Sequence, residues 1–539
     1  MATAYVNAKV YTVDPSKPWA EAFLVKEDGT FGEVGTTAEI SAKAPANIVD
    51  LKGQFVMPGM HDAHCHLLIA SQEKLFEAKL GLDAGPKEVV ERFKAYAGSC
   101  NHLETVGNWL IGNFYHYANF PDEKPDREFL DKAFGDQPVV IREYTTHNIF
   151  ANTAALKAAG YDVDNPPDDP WDGYYVRRPD GSITGELVEG AAKNMWAAIP
   201  KGTPESHLEA LEYGVKMANR FGFTAVQEAS ANAVYLEAAK ALDEAGKMTI
   251  NLDAHVVYWG WAFSQEIPDT LIKSINNAHK YATKHFNPNM VKFWLDGVPW
   301  HPHLTHCPLD AEEPEKPDYK KILVPLQVFD MAIDRLDKEG RTCKVHCCGQ
   351  GSARHALDTF EKIRAKRPNG VRHEIAHNMD VHPDDFKRYK ELGITAEMSP
   401  AVWHDKDYQP EYNPMSVYPF TGLRDAGALL TIGSDWVFAP ETPNIFPALQ
   451  ALLEGRKGWE MTREQILKIV TIDGAFAVGR DKDEGSIEPG KLANFIILDR
   501  DMTSAEEIAT TIVKKTFFEG KEVYDYDSDE LKHFQGRSG

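Results

Sequence analysis

Short apolar runs recur along most of this chain, each followed by a helical stretch, and that alternation constrains the fold more than any other feature. The runs are Phe223–Gln227, Thr249–Val257, Met290–Leu295, Thr342–His346, Arg372–His377, Ile394–Met398 and Leu429–Ser434. Strands alternating with helices bury a parallel sheet under a helical layer, and eight such units close into a (β/α)8 TIM-type barrel. The segment ending Val56-Met57-Pro58-Gly59-Met60-His61-Asp62-Ala63-His64-Cys65-His66 supplies the first strand. Pro383 to Leu392, opening with Pro and acidic residues and closing at Gly393, reads as one of the helices.

The ends of the chain have a different texture. Residues 1–57 carry short alternating segments, Ala4–Val13 and Ala22–Val25, broken by Asp14-Pro15 and Asp28-Gly29. Residues 480–539 repeat the pattern, with Ala493 to Leu498 as an apolar strand and Glu519-Gly520-Lys521 as a turn. The two ends are expected to meet as a small β-sandwich domain, leaving 58–479 as the barrel. About 150 residues, from Ala70 to Arg220, separate the first strand from the next. A barrel of about 250 residues has no need of them, so residues 70–220 read as an inserted subdomain over the barrel mouth.

Length and charge narrow the function. At roughly 150 residues per domain, 539 residues accommodate two or three units. The formal charge of −23 repels nucleic acid and anionic membrane surfaces. No apolar run reaches the roughly 18 residues of a membrane span, and the start MATAYVNAKVYTVD lacks a signal-peptide pattern; the expected residence is the cytoplasm. Six irregularly spaced cysteines make no disulfide framework.

Several strand ends carry metal-ligand chemistry. His64 and His66 are two residues apart, so an extended backbone turns both imidazoles to one face and Cys65 to the other. An isolated pair of this kind is equally well a polar strand end. However, His346 closes Lys344-Val345-His346, His377 closes Ile375-Ala376-His377, and Asp435 follows Leu429–Ser434. Barrel enzymes place catalytic groups at the C-terminal ends of several strands, and four histidines with a carboxylate suit a zinc-like ion. Lys292 lies inside the apolar stretch Val291-Lys292-Phe293-Trp294-Leu295. Burial lowers an amine's pKa, and a neutral amine can take up carbon dioxide as a carbamate able to bridge two metals; a snorkelling or salt-bridged lysine is the commoner reading.

On VMPGMHDAHCHL, VKFWLDG, VHCCGQGSARHALD, HNMDVHPDDFKRYKELGI, TIGSDW and EGSIEPGKLANFIILD, nearly the whole chain resembles the amidohydrolase superfamily. Within it the likeness is to the YtcJ-like branch, which includes N-substituted formamide deformylases. The resemblance implies a barrel with a β-sandwich built from both chain ends, and a metal-activated water attacking an amide-like carbonyl. It matches His64 and His66 to the ligands of the first strand, Lys292 to a carboxylated lysine bridging two ions, and His346 and His377 to the ligands of strands five and six. Asp435 matches the strand-eight aspartate that contacts the metal, acts as base and returns the proton to the leaving nitrogen. His147 resembles a histidine of the branch's insertion, but Thr145-Thr146 replace the usual Asp-Gly before it, and a packing role is equally open. Gln350 stands where the branch has a carboxylate, and Ala376 where it has a glutamate before the histidine.

The expected activity is hydrolysis of an amide, N-substituted formamide or cyclic amide, with zinc or another divalent metal, two ions being bridged by carboxylated Lys292. Isomerisation, ester or lactone hydrolysis, and a non-catalytic scaffold are the competing readings. Trp294, Trp300, Trp403 and Trp436 fall in or after strand ends, where they either line a pocket for an aromatic or apolar substituent or simply pack. His301, His303, His306 and Cys307 read as a loop after strand four rather than a second metal centre. Strand parity puts His373 on the face of His377, as a residue supporting the ligands. The expected partner is a small molecule, with a homodimer open on the barrel's outer face.

Overall fold

The computed structural model describes residues 2–99, 107–259, 268–399, 418–437, 441–455, 458–529 and 531. Its centre is one eight-stranded parallel sheet in sequential order: β1 (Met60–Cys65), β2 (Phe223–Ala231), β3 (Asn251–Trp259), β4 (Phe286–Trp294), β5 (Cys343–Cys347), β6 (His373–His377), β7 (Ile394–Met398) and β8 (Leu429–Ile432). The strands are almost wholly buried, as a sheet covered by helices requires. The sheet is a nearly closed TIM-type barrel.

Its two edges meet just past β1 and β8. The Asp435 N–H donates to His64 O at 2.7 Å and the His66 N–H to Trp436 O at 3.1 Å. Asp62 takes the Ser434 N–H at 2.9 Å and the Ser434 hydroxyl at 2.6 Å. Gly433 permits this approach, because a Cβ there would lie 2.3 Å from the His64 Cβ.

Three strands outrun the ranges read from sequence. β2 continues to Ala231 and β3 to Trp259. β4 begins at Phe286 and passes through Pro288, where its register against β3 shifts between Asp253 and His255. The missing proline N–H is accommodated at that irregularity. The expected helix over 383–392 is divided into a 3-10 turn, Pro383–Asp385, and an α-helix, Phe386–Leu392, ended by Gly393 at φ 64°.

The chain ends build two further sheets, the first from the N-terminal end alone and the second from both ends. One joins Phe31–Gly35, Ala22–Val25, Thr3–Val6 and Asn47–Asp50; the other joins Lys521–Asp525, Val513–Phe518, Phe495–Leu498, Phe55–Pro58, Lys9–Tyr11 and Trp19–Ala20. Tyr5 and Phe23 of the first sheet pack on Phe495 of the second at ring separations of 5.2 and 5.0 Å. Phe55–Pro58 runs almost directly into β1, which fixes these sheets to the barrel.

Between β1 and β2 the chain forms helix α1 (Leu67–Phe76), a six-stranded sheet, and helix α2 (Pro204–Arg220). The sheet is tied to α1 by Arg142, on the strand Val139–Glu143. Its buried guanidinium donates to Glu73 at 3.2 Å, to both carboxylate oxygens of Glu77, one at 2.9 Å, and to Asn113 at 3.0 Å. Among the described residues no helix is long and apolar enough to cross a membrane.

Candidate metal centre

The strand ends bring six of the residues singled out from sequence to one mouth. His64 Nε2 and His66 Nε2 lie 3.6 and 3.4 Å from the same Asp435 oxygen, Oδ1. His377 Nδ1 lies 3.7 Å from the other, Oδ2. The His377 ring is 4.7 Å from that of His64 and 4.4 Å from that of His346. Lys292 Nζ, fully buried, is 3.4 Å from His64 Nε2 and 5.1 Å from the Trp294 ring. Cys65 turns away into the apolar core. Asp435 and His377 reach the mouth through left-handed backbone, at φ 49° and 72°, conformations that cost non-glycine residues about 1–3 kcal/mol and cluster at functional sites.

This donor set fits a divalent metal. Nitrogen and oxygen ligands about 2.1 Å from a tetrahedral zinc stand about 3.4 Å from one another, close to the separations of Asp435 Oδ1 from His64 and His66. Burial, with the Lys292 charge, keeps His64 well below the ordinary histidine range, and burial brings His377 down to about 3. Both imidazoles are therefore neutral, the form that binds metals. Asp435 goes down to about 2: burial opposes its ionisation, but His66, His377 and Lys292 outweigh it. Burial and the neighbouring Lys344 lower Lys292 to about 8.

The imidazoles are aimed by residues that went unnoticed in the sequence. Glu397 Oε2 lies 2.7 Å from His64 Nδ1. Ser399 Oγ is 3.1 Å from His377 Nδ1 and donates to Glu397 Oε1 at 3.0 Å. Ser230 Oγ is 2.6 Å from His66 Nδ1 and donates to Glu228 at 3.2 Å. Burial pushes Glu397 up to about 8; when ionised it accepts from Nδ1–H and leaves the Nε2 lone pair of His64 facing the mouth. The available signal was a glutamate inside the apolar strand Ile-Thr-Ala-Glu-Met. Ligand-orienting partners of this kind are worth about 10- to 100-fold in metal affinity. Glu397→Gln is therefore expected to weaken zinc binding by about that factor in a chelator competition, and equal affinity would count against this arrangement.

The remaining expectations divide. His147 lines the same pocket, its ring 5.2 Å from His346 and its Nδ1 3.2 Å from both Glu189 oxygens. Trp294 and Trp300 also line it, with Met379 and Val437. Trp436 is buried, and Trp403 lies outside the described residues. Gln350 donates to Asp380 at 2.9 Å. His303 bridges Tyr174 Oη at 2.5 Å and Glu186 at 3.0 Å, linking the loop after β4 to the six-stranded sheet, while His301 is exposed.

The parity reading of His373 is corrected. It stacks on Phe360 of the helix Gln350–Lys366 at 4.9 Å and contacts Asp337 at 3.0 Å, so it faces the helical layer. Glu374 is the inward residue, paired with Lys344 at 3.1 Å inside the barrel. His377 reaches the mouth only because its positive φ breaks the strand's alternation.

A family model described as "Amidohydrolase family" matches residues 47–524, a span that includes every barrel strand. The chain belongs to the amidohydrolase family. This amidohydrolase is 26% identical to the N-substituted formamide deformylase of Arthrobacter pascens, over 96% of the chain and 97% of that protein. It is 22% identical to the putative amidohydrolase YtcJ of Bacillus subtilis (strain 168), over 96% and 98% of the two chains. Its fold resembles the crystal structure of an uncharacterized metal-dependent hydrolase from Pyrococcus horikoshii OT3, with a TM-score of 0.72 at 20% identity, covering 94% and 99% of the chains. Family membership makes the chain a hydrolytic enzyme and the mouth of its barrel the place to seek the chemistry.

Proposed function

We propose that this amidohydrolase cleaves a C–N bond of a small amide, N-substituted formamide or cyclic amide at a centre of two divalent ions, zinc being the expected metal. The observation that carries this reading is the convergence of His64, His66 and Asp435 beside the buried amine of Lys292. His64, His66, His346, His377 and Asp435 would hold the ions, and a carbamate on Lys292 would bridge them. When bound, the metal supplies a water acidified toward neutrality and a Lewis acid for the carbonyl oxygen. Asp435, held ionised, takes the proton of the attacking water and returns it to the leaving nitrogen. Trp294, Trp300, Met379 and Val437 offer an apolar wall, suited to an aromatic or alkyl substituent. His147, braced by Glu189, offers the substrate a hydrogen bond.

In the same reading the end segments 1–57 and 480–539 form a composite β-sandwich domain on a barrel of residues 58–479. Residues 70–220 form a subdomain that shapes the mouth, and the enzyme works in the cytoplasm. The test combines elemental analysis and gentle intact-mass measurement on protein purified without chelator with turnover of N-substituted formamides and aromatic amides. Two zinc per chain, a carbamate mass on Lys292, amine release, and loss of turnover in chelator with recovery on zinc addition are expected. Turnover indifferent to metal removal, or a product formed without uptake of water, would refute the proposal.

A further inference from the structure

Beside His346 stands a ligand-type atom that the proposed centre does not use. Cys348 Sγ lies 3.2 Å from His346 Nε2, is buried, and lines the same pocket. Cys348 stands one residue beyond the end of β5, two residues after His346, just as His66 stands one residue beyond β1 and two after His64. The parity that turns two imidazoles to the mouth from β1 thus turns an imidazole and a thiol to it from β5. Cys347, between them, is buried and, like Cys65, is not among the residues that line the pocket.

The turn that carries Cys348 is held in place. Asp296, just past β4, accepts the backbone N–H groups of Cys348 and Cys307 at 3.0 Å and of Gly349 at 2.9 Å, and the Ser352 hydroxyl at 2.7 Å. Three of these bonds fall on Asp296 Oδ2; Oδ1, 3.7 Å from His346 Nε2, takes the Cys348 N–H, so Cys348 and His346 are adjacent donors beside a carboxylate that fixes the turn. A zinc with nitrogen at about 2.05 Å and sulfur at about 2.3 Å in tetrahedral geometry separates the two by about 3.5 Å, near the distance observed.

We infer that Cys348 is a thiolate ligand of the ion held by His346, giving the centre one sulfur donor. The inference rests on the metal-dependent reading above. On binding, the S–H bond breaks, the sulfur lone pair goes to the metal and the proton is released to solvent. A sulfur donor biases the centre toward zinc and cadmium over manganese and magnesium.

X-ray absorption on the zinc-loaded enzyme tests this without reference to turnover. A sulfur shell at about 2.3 Å is expected in the wild type, lost in Cys348→Ser and retained in Cys347→Ser and Cys65→Ser. Cobalt-loaded protein should show a sulfur-to-cobalt charge-transfer band with the same pattern of loss, and the wild-type spectra decide the matter even where a variant fails to fold. Bound zinc with only nitrogen and oxygen neighbours, or a sulfur shell that survives Cys348→Ser, overturns this inference alone. A chain that binds no metal overturns it together with the proposed function.

Discussion

Replacing Asp435 by Asn is expected to lower kcat by about 10²- to 10⁴-fold, the usual contribution of a positioned acid–base group. The substitution is nearly isosteric. Its side-chain oxygen can still face His66, and the backbone bond from Asp435 N–H to His64 O, 2.7 Å long, does not involve the side chain. What is lost is a carboxylate kept ionised against burial by His66, His377 and Lys292. The amide cannot accept a proton, so water activation and leaving-group protonation should fail together. Steady-state kinetics with metal content measured on the same samples check this. Undiminished kcat with metal retained would exclude Asp435 as the base.

The second large effect concerns stability. Arg142→Ala should destabilise the chain by about 3–5 kcal/mol, the range for removing one partner of a buried ion cluster. Arg142 is 2% exposed, and its loss leaves Glu73 and Glu77 buried without their cation. It also removes the contact of the guanidinium with the Trp196 ring, 5.4 Å away. Because these side chains join the six-stranded sheet to α1, unfolding should begin between them. Replacing the cluster together, as Arg142→Met with Glu73→Gln and Glu77→Gln, should recover most of the loss, since no charge is then stranded. Denaturant unfolding of the three proteins gives the comparison; equal stability of wild type and Arg142→Ala would mean that water reaches the carboxylates.

The convergence of the strand ends at the mouth was legible because two simple rules govern it: alternation along a strand, and catalytic groups at C-terminal barrel ends. His64, His66 and His346 obey both, and Asp435, on left-handed backbone beyond the end of β8, obeys the second. Lys292 was legible as a cation in an apolar run. His377 lies where it was expected, but for a reason alternation does not contain: a left-handed residue at the end of β6. The same feature misplaced His373, which alternation aligns with His377 and the folded chain turns toward Asp337. Glu397, Ser399 and Ser230 were not legible as supports, because their imidazole partners lie on other strands and only strand pairing and, for Glu397 and His64, barrel closure bring them together. β4 ran longer than read because a register shift against β3 lets it pass Pro288.

The seam between β1 and β8 has a further consequence. The backbone amides that join the two edges belong to Asp435 and His66, whose side chains also meet at the mouth. Anything that clips these side chains together also staples the first and last turns of the barrel. Occupancy of the mouth should therefore be visible far from any chemistry, as slower deuterium uptake at those two amides. Opening of the seam would scatter the reactive groups and breach the barrel wall in a single event.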